Sequence, residues 1–149
     1  MRHFIYMGSN FVCLHVHVVF ATRERRLSLD QNWRSDLHRY LAGTLTGLGA
    51  AAPSVGGTGD HVHLLFGVRA THAISDVVRE VKKASSTWIK ANHLANFAWQ
   101  EGYGAFSVGV NSLAAVRQYI EQQEQHHERR DFADEWREIL AKHGFEASD

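Results

Sequence analysis

The sequence predicts an α+β fold of the split βαβ, ferredoxin-like kind: an antiparallel sheet with two helices on one face and helices added at the C-terminus. Two observations carry this. The apolar pattern switches between strand and helix periods in the order β-α-β-β-α-β-α-α. The chain's 149 residues, 44% hydrophobic and 21% charged, are enough for one core without staples, so residues 1–149 are expected to form a single domain.

Each element has its own warrant. Residues 12–22 are β-branched and aromatic-rich and read as a strand, followed by the charged turn Arg23-Glu24-Arg25-Arg26. Asp30 is a helix N-cap, and Trp33, Leu37, Leu41, Leu45 and Leu48 then follow the helical period until Gly43, Gly47 and Gly49 weaken it. Pro53, Gly56 and Gly57 confine the next strand, 51–58, to an edge or a bulge. A compact strand, 61–68, follows the turn Gly59-Asp60. A long helix over 73–91 carries Ile74, Val77, Val81, Ala84 and Trp88 on one stripe. After a loop at 99–104, residues 105–108 form a short strand. A third helix, capped by Asn111 or Ser112, is expected to run unbroken to about Gln125, with Leu113, Val116 and Ile120 inward. Asp131 opens a last helix with Phe132, Trp136, Ile139 and Leu140 apolar and Gly144 at its end.

Composition narrows the function. No apolar run approaches the ~20 residues of a membrane span, and the N-terminus lacks the pattern of a signal peptide. The lone Cys13 excludes an internal disulfide, and its apolar neighbours predict a core position. A cytoplasmic protein is expected. Net charge is zero, but residues 1–117 carry 12 basic and 7 acidic side chains and residues 118–149 carry 4 and 9. The body is therefore positive enough to attract phosphate, and the C-terminal segment is acidic. Eleven histidines include the pairs His15/His17, His61/His63 and His126/His127.

His61-Val-His63 is the sharpest local feature. Residues i and i+2 of a strand point to one face, so both imidazoles can converge on one metal ion. His15-Val-His17 has the same spacing, so spacing alone does not choose between them. Tyr119 and Gln123 lie at i and i+4 of the third helix and share a face, which His127 extends. Two imidazoles and an amide oxygen could hold a divalent ion that polarises a phosphate, with a tyrosine oxygen beside it as nucleophile. No Walker loop, CxxC pair or GxGxxG motif is present.

The stretch Gly56-Gly57-Thr58-Gly59-Asp60-His61-Val62-His63-Leu64-Leu65 resembles the HUH motif of the small single-tyrosine transposases of bacterial insertion sequences, to which the REP-associated tyrosine transposases are close relatives. His17-Val18-Val19-Phe20-Ala21-Thr22-Arg23 resembles that family's first strand and basic turn. The segment Lys82-Lys83-Ala84-Ser85-Ser86-Thr87-Trp88-Ile89 resembles its second helix. Trp99-Gln100-Glu101-Gly102-Tyr103-Gly104-Ala105-Phe106-Ser107-Val108 resembles its pre-strand loop, and Tyr119 to His127 its nucleophile helix. The resemblance covers residues 12 to 144.

It implies that His61, His63 and Gln123 are metal ligands, that Tyr119 is the nucleophile, and that the ion is Mg2+ or Mn2+. His15 and His17 are outside the implied metal motif and receive no catalytic role. The implied activity is cleavage and rejoining of single-stranded DNA at hairpin-bearing element ends through a 5′-phosphotyrosine, by a homodimer. Arg23, Arg25, Arg26, Lys82, Lys83 and Lys90 are candidate DNA-binding residues. The alternatives are a domesticated endonuclease that processes palindromes, a nucleic-acid-binding module with an inert tyrosine, and a metal-dependent hydrolase. The hydrolase would need an acidic partner, for which Asp60 is the nearby candidate.

Overall fold

The computed structural model describes residues 10–127 and 130–146. The N-terminal residues read above for a signal peptide lie outside the described residues. Four strands, β1 (Leu14–Ala21), β2 (Ala51–Gly57), β3 (His61–Val68) and β4 (Gly104–Val108), form one antiparallel sheet in the order β2-β3-β1-β4. The helices α1 (Gln31–Gly47) and α2 (Ile74–Asn92) are the two crossovers of the ferredoxin-like arrangement. After β4 come α3 (Leu113–Glu121), α4 (Gln123–His127) and α5 (Phe132–Lys142). No helix among the described residues is long and apolar enough to cross a membrane.

The expected elements are present with small boundary shifts. The Asp30 carboxylate caps α1 by accepting the Asn32 amide hydrogen at 2.8 Å. β2 is an edge strand, and its register slips between Ala51 and Ser54, around Pro53 and the left-handed Ala52 (φ 45°).

Two expectations fail. The third helix does not run unbroken to Gln125, because Gln122 leaves the helical region (φ −102°, ψ 19°) and separates α3 from α4. Cys13 is exposed, because β1 begins only at Leu14 and residues 10–13 precede the sheet.

The sheet is covered on both faces, which explains why β3 is buried almost throughout. Val18, Phe20, Val62, Leu64 and Phe66 face the main core with Leu37, Leu41 and Leu45 of α1 and Val77, Val78, Val81 and Ile89 of α2. Strand alternation turns His17, Val19, His61 and His63 to the other face. There Val19, Phe106 and Phe132 form a smaller cluster with Trp136, Ile139 and Leu140 of α5. α3 reaches this layer over β2, where a Cβ on Gly56 would come within 2.1 Å of the Ile120 carbonyl oxygen. Only a glycine lets the end of α3 approach the sheet edge so closely. Arg34 of α1 spans the same edge, donating to Leu29 O at 3.0 Å and 2.9 Å and to Glu124 of α4 at 2.9 Å.

Candidate metal centre and nucleophile

β1 and β3 pair with Ala21 opposite His61, Val19 opposite His63 and His17 opposite Leu65. This register places His17 diagonally beside His63, with His17 Nε2 2.8 Å from His63 Nδ1 and the rings stacked at 5.0 Å. His61 Nδ1 faces the Asp60 carboxylate at 2.8 Å and the Thr58 hydroxyl at 3.2 Å, a consequence of the tight turn that opens β3. Each imidazole thus has its Nδ1 occupied and its Nε2 turned toward α3–α5. Outer-shell partners of this kind orient metal-binding histidines.

The two Nε2 atoms meet an amide and a carboxylate. Gln123 Oε1 lies 3.0 Å from His61 Nε2. Glu135 Oε1 lies 2.9 Å from His63 Nε2 and 3.4 Å from His61 Nε2. The other Glu135 oxygen lies 3.1 Å from His127 Nε2. Tyr119 stands edge-on to His63, with ring centroids 5.7 Å apart, and lines a small cavity together with Glu135. His61, His63, Tyr119 and Gln123, called together from the sequence, are therefore neighbours. His15 lies one pleat beyond His17, near the start of β1.

Glu135 was missed by the sequence reading, which offered Asp60 as the nearby acid. Asp60 is engaged with His61 Nδ1, and the acid at His63 Nε2 lies 72 residues further along the chain than His63. A signal existed: Glu135 sits three residues after Phe132 and four before Ile139, on the apolar stripe of α5. It is 4% exposed, a carboxylate where the helix otherwise presents hydrophobic side chains.

Burial sets the electrostatics, and hydrogen bonds modify it. Burial lowers His61, but Asp60, Glu135 and Gln123 more than reverse this and raise it to about 8. His63 falls to about 4, because burial outweighs the Glu135 hydrogen bond. His17 falls to about 3 through burial and the neighbouring His63, and His38 to about 4 through burial and the nearby Arg34. Burial opposes ionisation of Glu135, yet hydrogen bonds from His61 and His63 hold its carboxyl well below the usual range. Burial and the neighbouring Glu135 carboxylate push the Tyr119 phenol above its ordinary value.

These shifts predict a stability optimum for the metal-free protein near pH 6.5. Above it, the raised His61 loses its stabilising proton between about 6.5 and 8. Below it, His17, His38 and His63 resist protonation that the unfolded chain accepts, so stability falls as pH drops toward 4. Three histidines act on the acid side, joined at lower pH by the Glu135 and Asp60 carboxylates, against one histidine on the alkaline side, so the acid limb is expected to be steeper. Urea denaturation in EDTA at half-unit pH steps checks this, and a flat profile between 6.5 and 8 would contradict the His61 assignment.

The donor set suits a divalent cation. Ligand atoms of His61, His127 and Glu135 all lie within 4.8 Å of one another. Metal–nitrogen and metal–oxygen bonds of about 2.1 Å put neighbouring ligand atoms roughly 3 Å apart, close to the separations here. Imidazoles with a carboxylate and an amide match ions such as Mn2+ better than a purely oxygen-seeking ion.

The candidate DNA-binding residues fall into three groups. Arg23, Arg25 and Arg26 are exposed in the turn after β1, and Arg26 pairs with Glu24 at 2.9 Å. Lys82 is used within the chain: its ammonium donates to Gln100 O at 2.8 Å and Gly102 O at 2.6 Å, and lies over the Phe20 ring. Lys83 and Lys90 are exposed on α2, across the sheet from the metal centre.

Comparison with known proteins places the chain in a family and a fold. The profile described as "Transposase IS200 like" matches residues 10–123. A solved structure described as a candidate transposase of Deinococcus radiodurans R1 is 28% identical with a TM-score of 0.61, covering 80% of this chain and 98% of its own. The structure of a REP-associated tyrosine transposase bound to a REP hairpin is 16% identical with a TM-score of 0.53, covering 96% of this chain and 76% of its own. It shares the fold. No curated protein matches.

Proposed function

Because the chain belongs to the IS200-like transposase family, we propose that it cleaves and rejoins single-stranded DNA at hairpin-bearing ends, with Tyr119 as the nucleophile. The observation that carries this is the position of the Tyr119 phenol, at a cluster of two imidazoles, an amide and a carboxylate. His61, His63 and Gln123 would hold Mg2+ or Mn2+, with Glu135 as a further donor. A cation held there supplies charge stabilisation at a phosphate oxygen. The Tyr119 oxygen attacks phosphorus and forms the new O–P bond while its proton leaves to water, and the bond to the 3′ oxygen breaks, that oxygen taking up a proton from water. The departing strand keeps a 3′-hydroxyl, which later attacks a phosphotyrosine to rejoin DNA. Ester energy is conserved, so no nucleotide cofactor is required.

The DNA partner is supported by the relative bound to a REP hairpin. We assign Arg23, Arg25 and Arg26 to phosphates near the cleaved strand, and Lys83 and Lys90 to backbone on the far face. Lys82 acts through the loop it holds. Incubation with a labelled hairpin oligonucleotide and Mn2+ is expected to give a covalent protein–DNA adduct. Cleavage without an adduct would favour a hydrolase, and binding without cleavage an inert module.

Two element ends require two nucleophiles, so the active species is expected to be a homodimer. Tyr119 stands beside His63 of its own chain, which supports a site assembled within one chain. Mixing His61→Ala and Tyr119→Phe chains is therefore expected to recover no cleavage. Recovery would show that α3 serves the partner's site.

A further inference from the structure

Beside the metal centre, on the other side of Phe132, lies a cavity of about 480 Å³ that the proposed chemistry leaves unused. Its walls are the turn after β1, the loop before β4, and α5. We propose that it receives one unpaired nucleobase of the cleaved strand, next to the scissile phosphate; this rests on the single-strand cleavage reading above.

Four features point to a nucleotide. The volume lies within the range of small-ligand pockets, roughly 300–1,000 Å³. Its lining combines the aromatic rings of Tyr103, Phe132 and Trp136 with the Arg25 guanidinium, the pairing of stacking surface and cation that holds single strands. Tyr103 is 42% exposed and stacks on no other ring among the described residues, so its face is available. Phe132 connects cavity and metal centre: it stacks on His61 at 4.1 Å and 16°, while Arg25 lies 5.9 Å from its ring centroid. A base in the cavity and a phosphate at the metal centre would be separated by this one ring.

The cavity is also held in shape at a cost. Glu24 (φ 57°) and Arg25 (φ 53°) are consecutive non-glycine residues in the left-handed region. The Gln100 side-chain carbonyl accepts the Glu24 amide hydrogen at 2.9 Å, and Lys82 clamps the carbonyls of Gln100 and Gly102. The chain thus fixes both lips, one of them in a strained conformation that presents Arg25 to the opening.

The test is an abasic scan. A labelled hairpin oligonucleotide with a single-stranded flank of mixed sequence carries one abasic position, moved stepwise through the flank. Affinity is measured by anisotropy with the full chain in EDTA, where binding is read without cleavage. One flank position is expected to cost the wild type about tenfold in affinity when its base is removed. Tyr103→Ala should bind the intact oligonucleotide about tenfold more weakly and lose nothing further at that position. Tyr103→Phe, which keeps the ring, should retain the wild-type pattern and show that folding is intact. Equal abasic sensitivity in wild type and Tyr103→Ala, or no sensitive position in the wild type, would overturn the pocket. Cleavage in Mn2+ without the abasic signature would overturn the pocket alone. The signature without any cleavage would overturn the catalytic reading alone.

Discussion

Tyr119→Phe is expected to abolish formation of the covalent adduct, lowering cleavage by at least about 10³-fold, while hairpin binding changes less than about twofold. The substitution removes one oxygen and keeps the ring against His17 and His63. Glu135 keeps its partners His61, His63 and His127, so the protein should fold. Denaturing gel electrophoresis of the labelled adduct checks the result. Cleavage at the wild-type rate would move the nucleophile elsewhere. Tyr103 is the rival to examine next, since it lines the cavity on the other side of Phe132.

The second large effect concerns the metal centre. His61→Ala and His63→Ala should each reduce Mn2+ affinity and Mn2+-dependent cleavage by about 10²-fold or more, whereas His15→Ala should change both by less than about threefold. Glu135→Gln tests the residue the sequence reading missed. It preserves shape and removes charge, and should weaken Mn2+ binding by about 10- to 100-fold in calorimetry. It should also abolish much of the stability change between pH 6.5 and 8 in EDTA, because Glu135 is one of the groups that raise His61. If Glu135→Gln binds Mn2+ as the wild type does while Gln123→Ala does not, the ligand set is the three residues expected from sequence. An equal loss at His15 would overturn the choice of strand.

His17 shows how a local motif and its environment differ. Its spacing from His15 repeats that of His61 and His63, yet it has a different place: its Nε2 meets His63 Nδ1, so it orients a ligand candidate without reaching the metal centre. Spacing along a strand decides which face a side chain occupies, whereas the pairing register decides what it touches. Ala21 opposite His61 and Val19 opposite His63 could not be read from either strand alone.

The elements of the fold were legible because each is dictated by signals within a few residues: the Asp30 and Asp131 caps, the helical stripes of α1 and α2, and the glycine and proline punctuation of β2. The shared faces of His61 with His63 and of Tyr119 with Gln123 follow from i, i+2 and i, i+4 spacing, but the choice of that set over His15 and His17 came from the resemblance to the transposase motif. Only tertiary structure decided the rest. The break at Gln122 lies between α3, seated over Gly56, and α4, whose Glu124 pairs with Arg34, contacts that no local signal announces. The arrival of Glu135 at two imidazoles depends on α5 folding back over the sheet, a contact between residues 72 apart. Local propensity acts over a turn of helix or a few strand residues; a buried charge is tolerated only where distant chain segments bring it partners, and that condition exists only once the chain has folded.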